Sequence, residues 1–119
     1  MAKVYASPLE APPLSWDSRE SYAASCAEYT ERLADWCRNT YNGKGDLVGE
    51  VVRFQIADGY AEYMVANHSP LTLINLGLGD GYSIPEAHAR GLRLTDIRKD
   101  VERERRIRAM FAEKRNAEA

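Results

Sequence analysis

The stretch VRFQIADGYAEYMV, residues 52–65, decides the fold, because apolar and polar residues alternate on both sides of Asp58-Gly59. Alternation with a period of two is typical of a β-strand that buries one face. Asp-Gly favours a two-residue type I′ turn, since both central residues of that turn take positive φ. The stretch therefore predicts a β-hairpin over residues 50–66.

The position of this turn predicts which residues of the two strands face each other. With residue 57 opposite residue 60, three cross-strand pairs share one face: Ile56–Ala61, Phe54–Tyr63 and Val52–Val65. A strand's side chains point alternately to its two faces. The other face of the hairpin is therefore expected to carry Arg53, Gln55, Glu62 and Met64.

A long helix is predicted before the hairpin, over residues 17–39. Asp17 followed by Glu20 resembles a capping box, and the sequence NGKG at 42–45 ends the helix. Residues 1–14 contain three prolines and predict an irregular arm. The helix has one apolar stripe at steps of four and three residues, formed by Tyr22, Cys26, Tyr29, Leu33 and Trp36.

Further strands and a second helix are predicted after the hairpin. Pro70 ends the second strand, and the apolar run 71–76 predicts a third. Residues 82–84 predict a short fourth strand, which completes a sheet within 47–84. Thr95 is expected to cap a last helix over 95–115. The chain, residues 1–119, is thus interpreted as one α+β domain with a long N-terminal helix, a small antiparallel sheet of three to four strands and a C-terminal helix.

The glycine-rich stretch LINLGLGDGYSIPEAHARGL, residues 73–92, does not fit a phosphate-binding loop. A dinucleotide loop needs a third glycine where Tyr82 stands and a helix directly after it, and a Walker loop needs Gly-Lys-Ser/Thr. The sequence GDG between two extended segments instead favours a second hairpin turn at Asp80-Gly81. The stretch therefore gives no support for phosphoryl chemistry.

Composition and charge set the broad class of the protein. The chain is 45% hydrophobic and 29% charged with a net charge of −2, as expected for a globular domain with no overall attraction to nucleic acid. No apolar run reaches the length of a membrane span, and the first residues lack the apolar core of a secretory signal. These observations predict a cytoplasmic protein that does not bind a membrane.

The residue types that most often carry catalysis or bind metals show no recognisable motif. Cys26 and Cys37 lie on one predicted helix at a separation of about 16 Å, too far for a disulfide within the chain. They are interpreted as reduced thiols on a buried face, with a bridge between protomers left open. His68 and His88 are interpreted as surface or structural residues, and no ligand spacing supports a metal or cofactor site. A carboxylate pair for acid–base work has equally little support among Asp58, Glu62, Asp80 and Glu86.

The last predicted helix concentrates positive charge. Residues 96–116 hold eight of the sixteen Lys and Arg and five acids. One interpretation is a solvated amphipathic helix whose acids pair with its arginines one turn away. The other is an anion site, because arginine binds phosphate or carboxylate with two parallel hydrogen bonds. The residues of that site would be Arg103, Arg105, Arg106 and Arg108, with Tyr60, Tyr63 or Tyr82 stacking on a base at an oligomer interface.

Oligomerisation is expected from the aromatic content of the first helix. Trp16, Trp36 and three tyrosines exceed what a small sheet covers easily, and aromatic residues and arginine are enriched at interfaces. We therefore expect a homodimer or a larger homo-oligomer.

The run with DGYAEY, GDGY and RGL…DI, about residues 50–98, resembles small orphan accessory proteins of phages, prophages and plasmids. The resemblance implies an accessory gene of a mobile element, such as a counter-defence inhibitor. Together with the Arg-rich helix it leads to the hypothesis of a non-catalytic binding protein that inhibits or sequesters a host protein or an anionic, nucleotide-like ligand. Two alternatives remain at this stage: a small enzyme acting on a nucleotide-like substrate with His68 or His88 as base, and a nucleic-acid-binding regulator.

Overall fold

The computed structural model describes residues 2–9, 19–56, 59–76 and 89–118, and its architecture is α+β. A helical segment precedes most of a four-stranded sheet, and a second helix follows the sheet, which confirms the predicted fold class. In chain order the elements are β1 (Lys3–Ala6), α1 (Arg19–Asp35), a π-helical turn (Trp36–Thr40), β2 (Val51–Ile56), β3 (Gly59–Asn67), β4 (Thr72–Asn75) and α2 (Leu94–Glu118).

The sheet is mixed rather than antiparallel, which corrects the prediction. The strand order is β1-β4-β3-β2, and β1 runs parallel to β4 while the other two pairings are antiparallel. Lys3 lies opposite Thr72, and the Lys3 N–H donates to the Leu71 carbonyl at 2.8 Å. The parallel pairing is possible because α1 and the hairpin together form the long crossover that parallel neighbours require.

The N-terminal segment is therefore not an irregular arm over its whole length. Residues 3–6 form an edge strand, because Val4 packs against the apolar cluster on one side of the sheet. The irregular arm was predicted from the prolines, and this prediction is wrong for residues 3–6. Pro8 follows the end of the strand and does not interrupt it. The predicted fourth strand at 82–84 lies outside the described residues.

The hairpin is confirmed, but its register differs from the prediction by two residues. A shift of two positions leaves every side chain on its predicted face, because side chains alternate with a period of two. Gly59 is paired with Ile56, so the prediction that Asp58-Gly59 forms the two-residue loop is wrong. The observed pairs include Ile56–Gly59, Phe54–Ala61 and Val52–Tyr63.

Two backbone bonds at the open end of the hairpin agree with the observed register. The Gly49 N–H donates to the Val65 carbonyl at 2.8 Å, and the Val65 N–H donates to the Glu50 carbonyl at 3.0 Å. These two bonds place Val65 beside residues 49 and 50 instead of opposite Val52.

Helices cover both faces of the sheet. On the first face α2 packs Ile97 and Val101 against hairpin residues that were predicted to share one face, namely Val52, Ala61, Tyr63 and Val65. On the second face α1 and the π-helical turn pack Leu33, Ala34 and Cys37 against Met64, Ala66 and Ile74. The molecule thus has three layers, and the predicted stripe of α1 is buried mainly at its C-terminal end.

The end of the first helix widens into the π-helical turn. The Tyr41 N–H donates to the Trp36 carbonyl at 2.9 Å, a bond from residue i+5 to residue i. In an α-helix two residues five apart point in different directions, whereas the wider π turn brings them to one side. The rings of Trp36 and Tyr41 are consequently stacked, with centroids 5.6 Å apart and an angle of 26° between planes.

The start of α2 is fixed by Asp96 and not by Thr95, which was predicted as the cap. The helix begins at Leu94, and the Asp96 carboxylate accepts the Arg93 backbone N–H at 3.0 Å. Hydrogen bonding to that N–H lowers the pKa of Asp96. An acidic residue in the first turn is favourable there, because it also complements the positive end of the helix dipole.

Candidate functional site

The first half of α2 is anchored to the sheet through apolar contacts and one buried carboxylate. Ile97 and Val101 are fully buried. The Asp100 carboxylate, 3% exposed, accepts the Arg53 backbone N–H at 3.0 Å and the Arg103 guanidinium. Asp100 thereby caps the outer edge of β2, which would otherwise present an unpaired N–H to a strand from another chain.

The second half of α2, residues 105–114, contributes no buried side chain to the core. All of its side chains are exposed, and among them are three large apolar ones: Ile107 at 40%, Met110 at 68% and Phe111 at 59%. These three positions share one side of the helix, since they are spaced three and four residues apart. The last helix therefore has an apolar side, and in this half of α2 that side is exposed.

The four predicted arginines divide into two anchored and two exposed ones. Arg103 pairs with Asp100 on its own helix, and Arg105 reaches the Glu50 carboxylate before β2. The Arg108 Nε–H makes only a long bond of 3.4 Å to the Glu104 carbonyl. Among the described residues no carboxylate pairs with Arg106 or Arg108, so these two guanidiniums are available to an external anion.

A further arginine of α2 holds the loop between the π-helical turn and β2. Arg98 donates two bonds to the Asp46 carboxylate, at 2.8 and 2.9 Å. This guanidinium lowers the pKa of Asp46 to about 2. The pair therefore has a structural role and is not open to a ligand.

The structure describes two of the three predicted tyrosines, Tyr60 and Tyr63. Tyr63 is fully buried in the cluster beneath α2, which contradicts the expectation that it is exposed. Tyr60 is 50% exposed but lies on the α1 face of the sheet, with the Arg53 guanidinium 5.2 Å from its ring centroid. Tyr82 lies outside the described residues. The guanidinium that lies over the Tyr60 ring is therefore that of Arg53, and not one of the four predicted arginines of α2.

His68 has a structural position. Its Nε2 accepts the Leu47 backbone N–H at 3.0 Å, and its Nδ1 lies 3.9 Å from the Asp46 carboxylate. Its side chain is only 13% exposed. The imidazole thereby ties the loop before β2 to the turn after β3. His88 lies outside the described residues.

Both cysteines are unbridged. Cys37 is fully buried beside Met64, with 3.8 Å between the two sulfurs, and burial raises the pKa of its thiol to about 11. Cys26 is half-buried on α1. In the part of the chain that the structure describes, no group of three His, Cys, Asp or Glu residues has the geometry to hold a metal ion.

Two features of the surface were missed by the sequence interpretation. The partners of Arg105 and Arg98 lie some fifty residues away in sequence, so no local pattern predicts them. The Trp36–Tyr41 stack depends on the π-helical turn, whereas an α-helix was assumed. The only available signal was the presence of two aromatic residues directly before NGKG.

Comparison with protein-family models, with curated proteins and with solved structures gives no match to this chain. Within the described ranges, neither helix is both long and apolar enough to cross a membrane. The functional interpretation consequently rests on the geometry of α2 and of the surrounding surface.

Proposed function

We propose that the protein is a non-catalytic binding protein that contacts an anionic partner through residues 105–114 of α2. The observation that carries this proposal is the exposed half-helix with Arg106 and Arg108 beside Ile107, Met110 and Phe111. A protein gains nothing in stability from exposing three large apolar side chains together, and such patches mark interaction sites.

The charge of α2 favours an acidic partner. Residues 96–116 carry eight basic and five acidic side chains, although the whole chain has a net charge of −2. An acidic surface is therefore attracted to this helix and not to the rest of the protein. Arginine adds specificity, since its planar fork matches carboxylate and phosphate groups.

Self-association is part of the proposal. The apolar stripe of Ile107, Met110 and Phe111 is the kind of surface that subunits bury against each other. The arginines would then lie at the rim of a homo-oligomer, where an anionic partner reaches them. By its resemblance to phage accessory proteins, we take the partner to be a host defence component, or an anionic ligand of that system, met in the host cytoplasm.

Native mass spectrometry of the purified protein, followed by the same sample denatured, tests this function. We expect an oligomer that carries an added mass, and the release of that mass unchanged on denaturation, because no chemistry is done on the ligand. If the partner is a macromolecule lost during purification, we expect it to be recovered from host lysate by the wild type.

A matched pair of variants ties the binding to α2. Arg106→Glu with Arg108→Glu should abolish the added mass or the captured partner, with the thermal midpoint unchanged. Arg32→Glu with Lys44→Glu makes the same change in net charge on exposed residues elsewhere and should leave binding intact. Equal loss of binding in both double variants would contradict a site on α2.

Two other outcomes would favour the alternative functions. A product released in place of the original ligand would show that the protein is an enzyme. Binding of double-stranded DNA that weakens steeply with salt would favour a nucleic-acid-binding regulator.

A further inference from the structure

Residues 44–47, in the loop before β2, fold around the side chain of His68. The His68 backbone N–H donates to the Lys44 carbonyl at 3.1 Å, and the Nε2 atom of its ring accepts the Leu47 N–H at 3.0 Å. Between these two bonds the loop backbone lies against the ring, since a Cβ atom added to Gly45 would lie 2.2 Å from two imidazole carbons. The loop therefore takes its shape from the imidazole.

The same loop connects the turn after β3 to α2. Asp46 receives two hydrogen bonds from Arg98 of α2, at 2.8 and 2.9 Å. Leu47 is buried in the core cluster that also contains Ile97 of α2. A movement of the loop away from the imidazole would therefore withdraw Leu47 from this cluster and Asp46 from Arg98.

We propose that residues 44–47 form a pH-sensitive switch, in which a proton taken up by His68 Nε2 releases the loop from the imidazole and loosens its contacts with α2. The switch does not depend on the function proposed above, since it concerns how α2 is held and not what α2 binds. The observation that carries it is the nitrogen that serves as acceptor.

The imidazole ring can hold the loop only in its neutral form. Neutral imidazole has one N–H and one acceptor nitrogen, whereas the imidazolium has two N–H groups and no acceptor. Because Nε2 accepts the Leu47 N–H, the closed loop requires the single proton to be on Nδ1. A second proton, on Nε2, would place two N–H groups against each other. The bond is then lost, and the Leu47 N–H turns to water or to another acceptor.

The charged groups that the described residues place at His68 belong to the loop and to α2. The Asp46 carboxylate lies 3.9 Å from Nδ1 and favours the imidazolium, although it is also bound to Arg98. Lys44, whose ammonium donates to the Asn42 side chain at 3.2 Å, adds a positive charge to the same loop. Asp46 thus helps the ring to take up a proton, but it lies beside the other nitrogen and does not replace the acceptor for the Leu47 N–H.

Proton linkage gives the size of the effect. An imidazole in water takes up its proton at roughly pH 6.5, and histidine is the side chain that normally titrates between about pH 5 and 8. If only the open loop binds this proton, the open fraction rises roughly thirtyfold between pH 7.5 and pH 5.0.

Hydrogen exchange of the Leu47 amide, measured by NMR on uniformly ¹⁵N-labelled protein, tests the switch. After correction for the intrinsic pH dependence of amide exchange, we expect this amide to exchange on the order of thirtyfold faster at pH 5.0 than at pH 7.5. The Leu76 N–H, which donates to the Glu62 carbonyl at 3.0 Å, is the control and should keep its corrected rate. A rise of less than about threefold at Leu47, or an equal rise at Leu76, would overturn the inference.

His68→Gln is the matched variant, because glutamine offers a side-chain carbonyl to the Leu47 N–H and does not titrate. Its corrected exchange rate at Leu47 should be the same at both pH values. A pH dependence equal to that of the wild type would show that another group operates the loop.

A second measurement on the wild type decides the matter if His68→Gln proves unfolded. The coupling between the ¹⁵N nuclei of Leu47 and His68 Nε2 across their hydrogen bond should be present at pH 7.5 and lost at pH 5.0. Its absence at pH 7.5, or its persistence at pH 5.0, would refute the switch.

Discussion

Replacing Asp100 with alanine should destabilise the fold, because this carboxylate joins α2 to the edge of the sheet. It accepts the Arg53 N–H of β2 from a position only 3% exposed. Its removal leaves that N–H without its acceptor, and an unsatisfied buried donor costs about 1 to 3 kcal/mol. The Arg103 guanidinium is 55% exposed and regains water, so losing its pair adds little.

We therefore expect Asp100→Ala to lower the free energy of unfolding by about 2 kcal/mol and the thermal midpoint by about 6 to 10 °C. Asp100→Asn keeps an acceptor for the Arg53 N–H and should cost roughly half as much. Chemical denaturation followed by far-UV circular dichroism measures both. The exposed neighbour Glu102 provides the control, and Glu102→Ala should change stability by less than about 0.5 kcal/mol. If Asp100→Ala lowers the free energy of unfolding no more than Glu102→Ala does, the role of Asp100 in capping the edge of β2 is refuted.

Two further predictions concern ionisable groups. At pH 8 a thiol reagent should modify one cysteine per folded chain, Cys26, because Cys37 is buried and the pKa of its thiol is raised to about 11. The Cys26→Ser variant should therefore react only after unfolding. Rapid reaction of the folded Cys26→Ser protein would contradict this prediction. The Asp46 carboxylate is bound to Arg98, so its pKa of about 2 lies below the usual 3.8. A lowered carboxyl pKa contributes stability above pH 3.8 that is lost as pH falls toward 2, and Asp46→Asn should reduce the slope of stability against pH in that window. An unchanged slope would show that other groups govern it.

The faces of the hairpin could be predicted from sequence, but its register could not. Alternation assigns each residue of the run 52–65 to a face, and that assignment survives any shift by an even number of positions. The observed register continues at the open end of the hairpin, where Gly49 and Glu50 are bonded to Val65. The Asp-Gly turn preference alone predicted a register that differs from the observed one by two residues.

Other differences originate in contacts between distant parts of the chain. β1 has four residues, of which Val4 packs against the core, so its pattern is too short to predict a strand beside Pro8. For α2, helical periodicity predicts the apolar stripe and the arginines. Periodicity cannot predict that the apolar side is buried at Ile97 and exposed at Met110, because the burial of each residue depends on where the sheet ends.

The parallel pairing of β1 with β4 has a consequence for how the protein is made. β1 is synthesised first, yet its partner strand follows only after α1 and the whole hairpin, as Lys3 pairs with Thr72. Contacts between such distant residues form late, because closing a long loop costs entropy before any contact compensates for it. Tyr5 is thus translated well before Ile74, its partner in the neighbouring strand. An intact β1–β4 pairing would accordingly report that a newly made chain has finished folding.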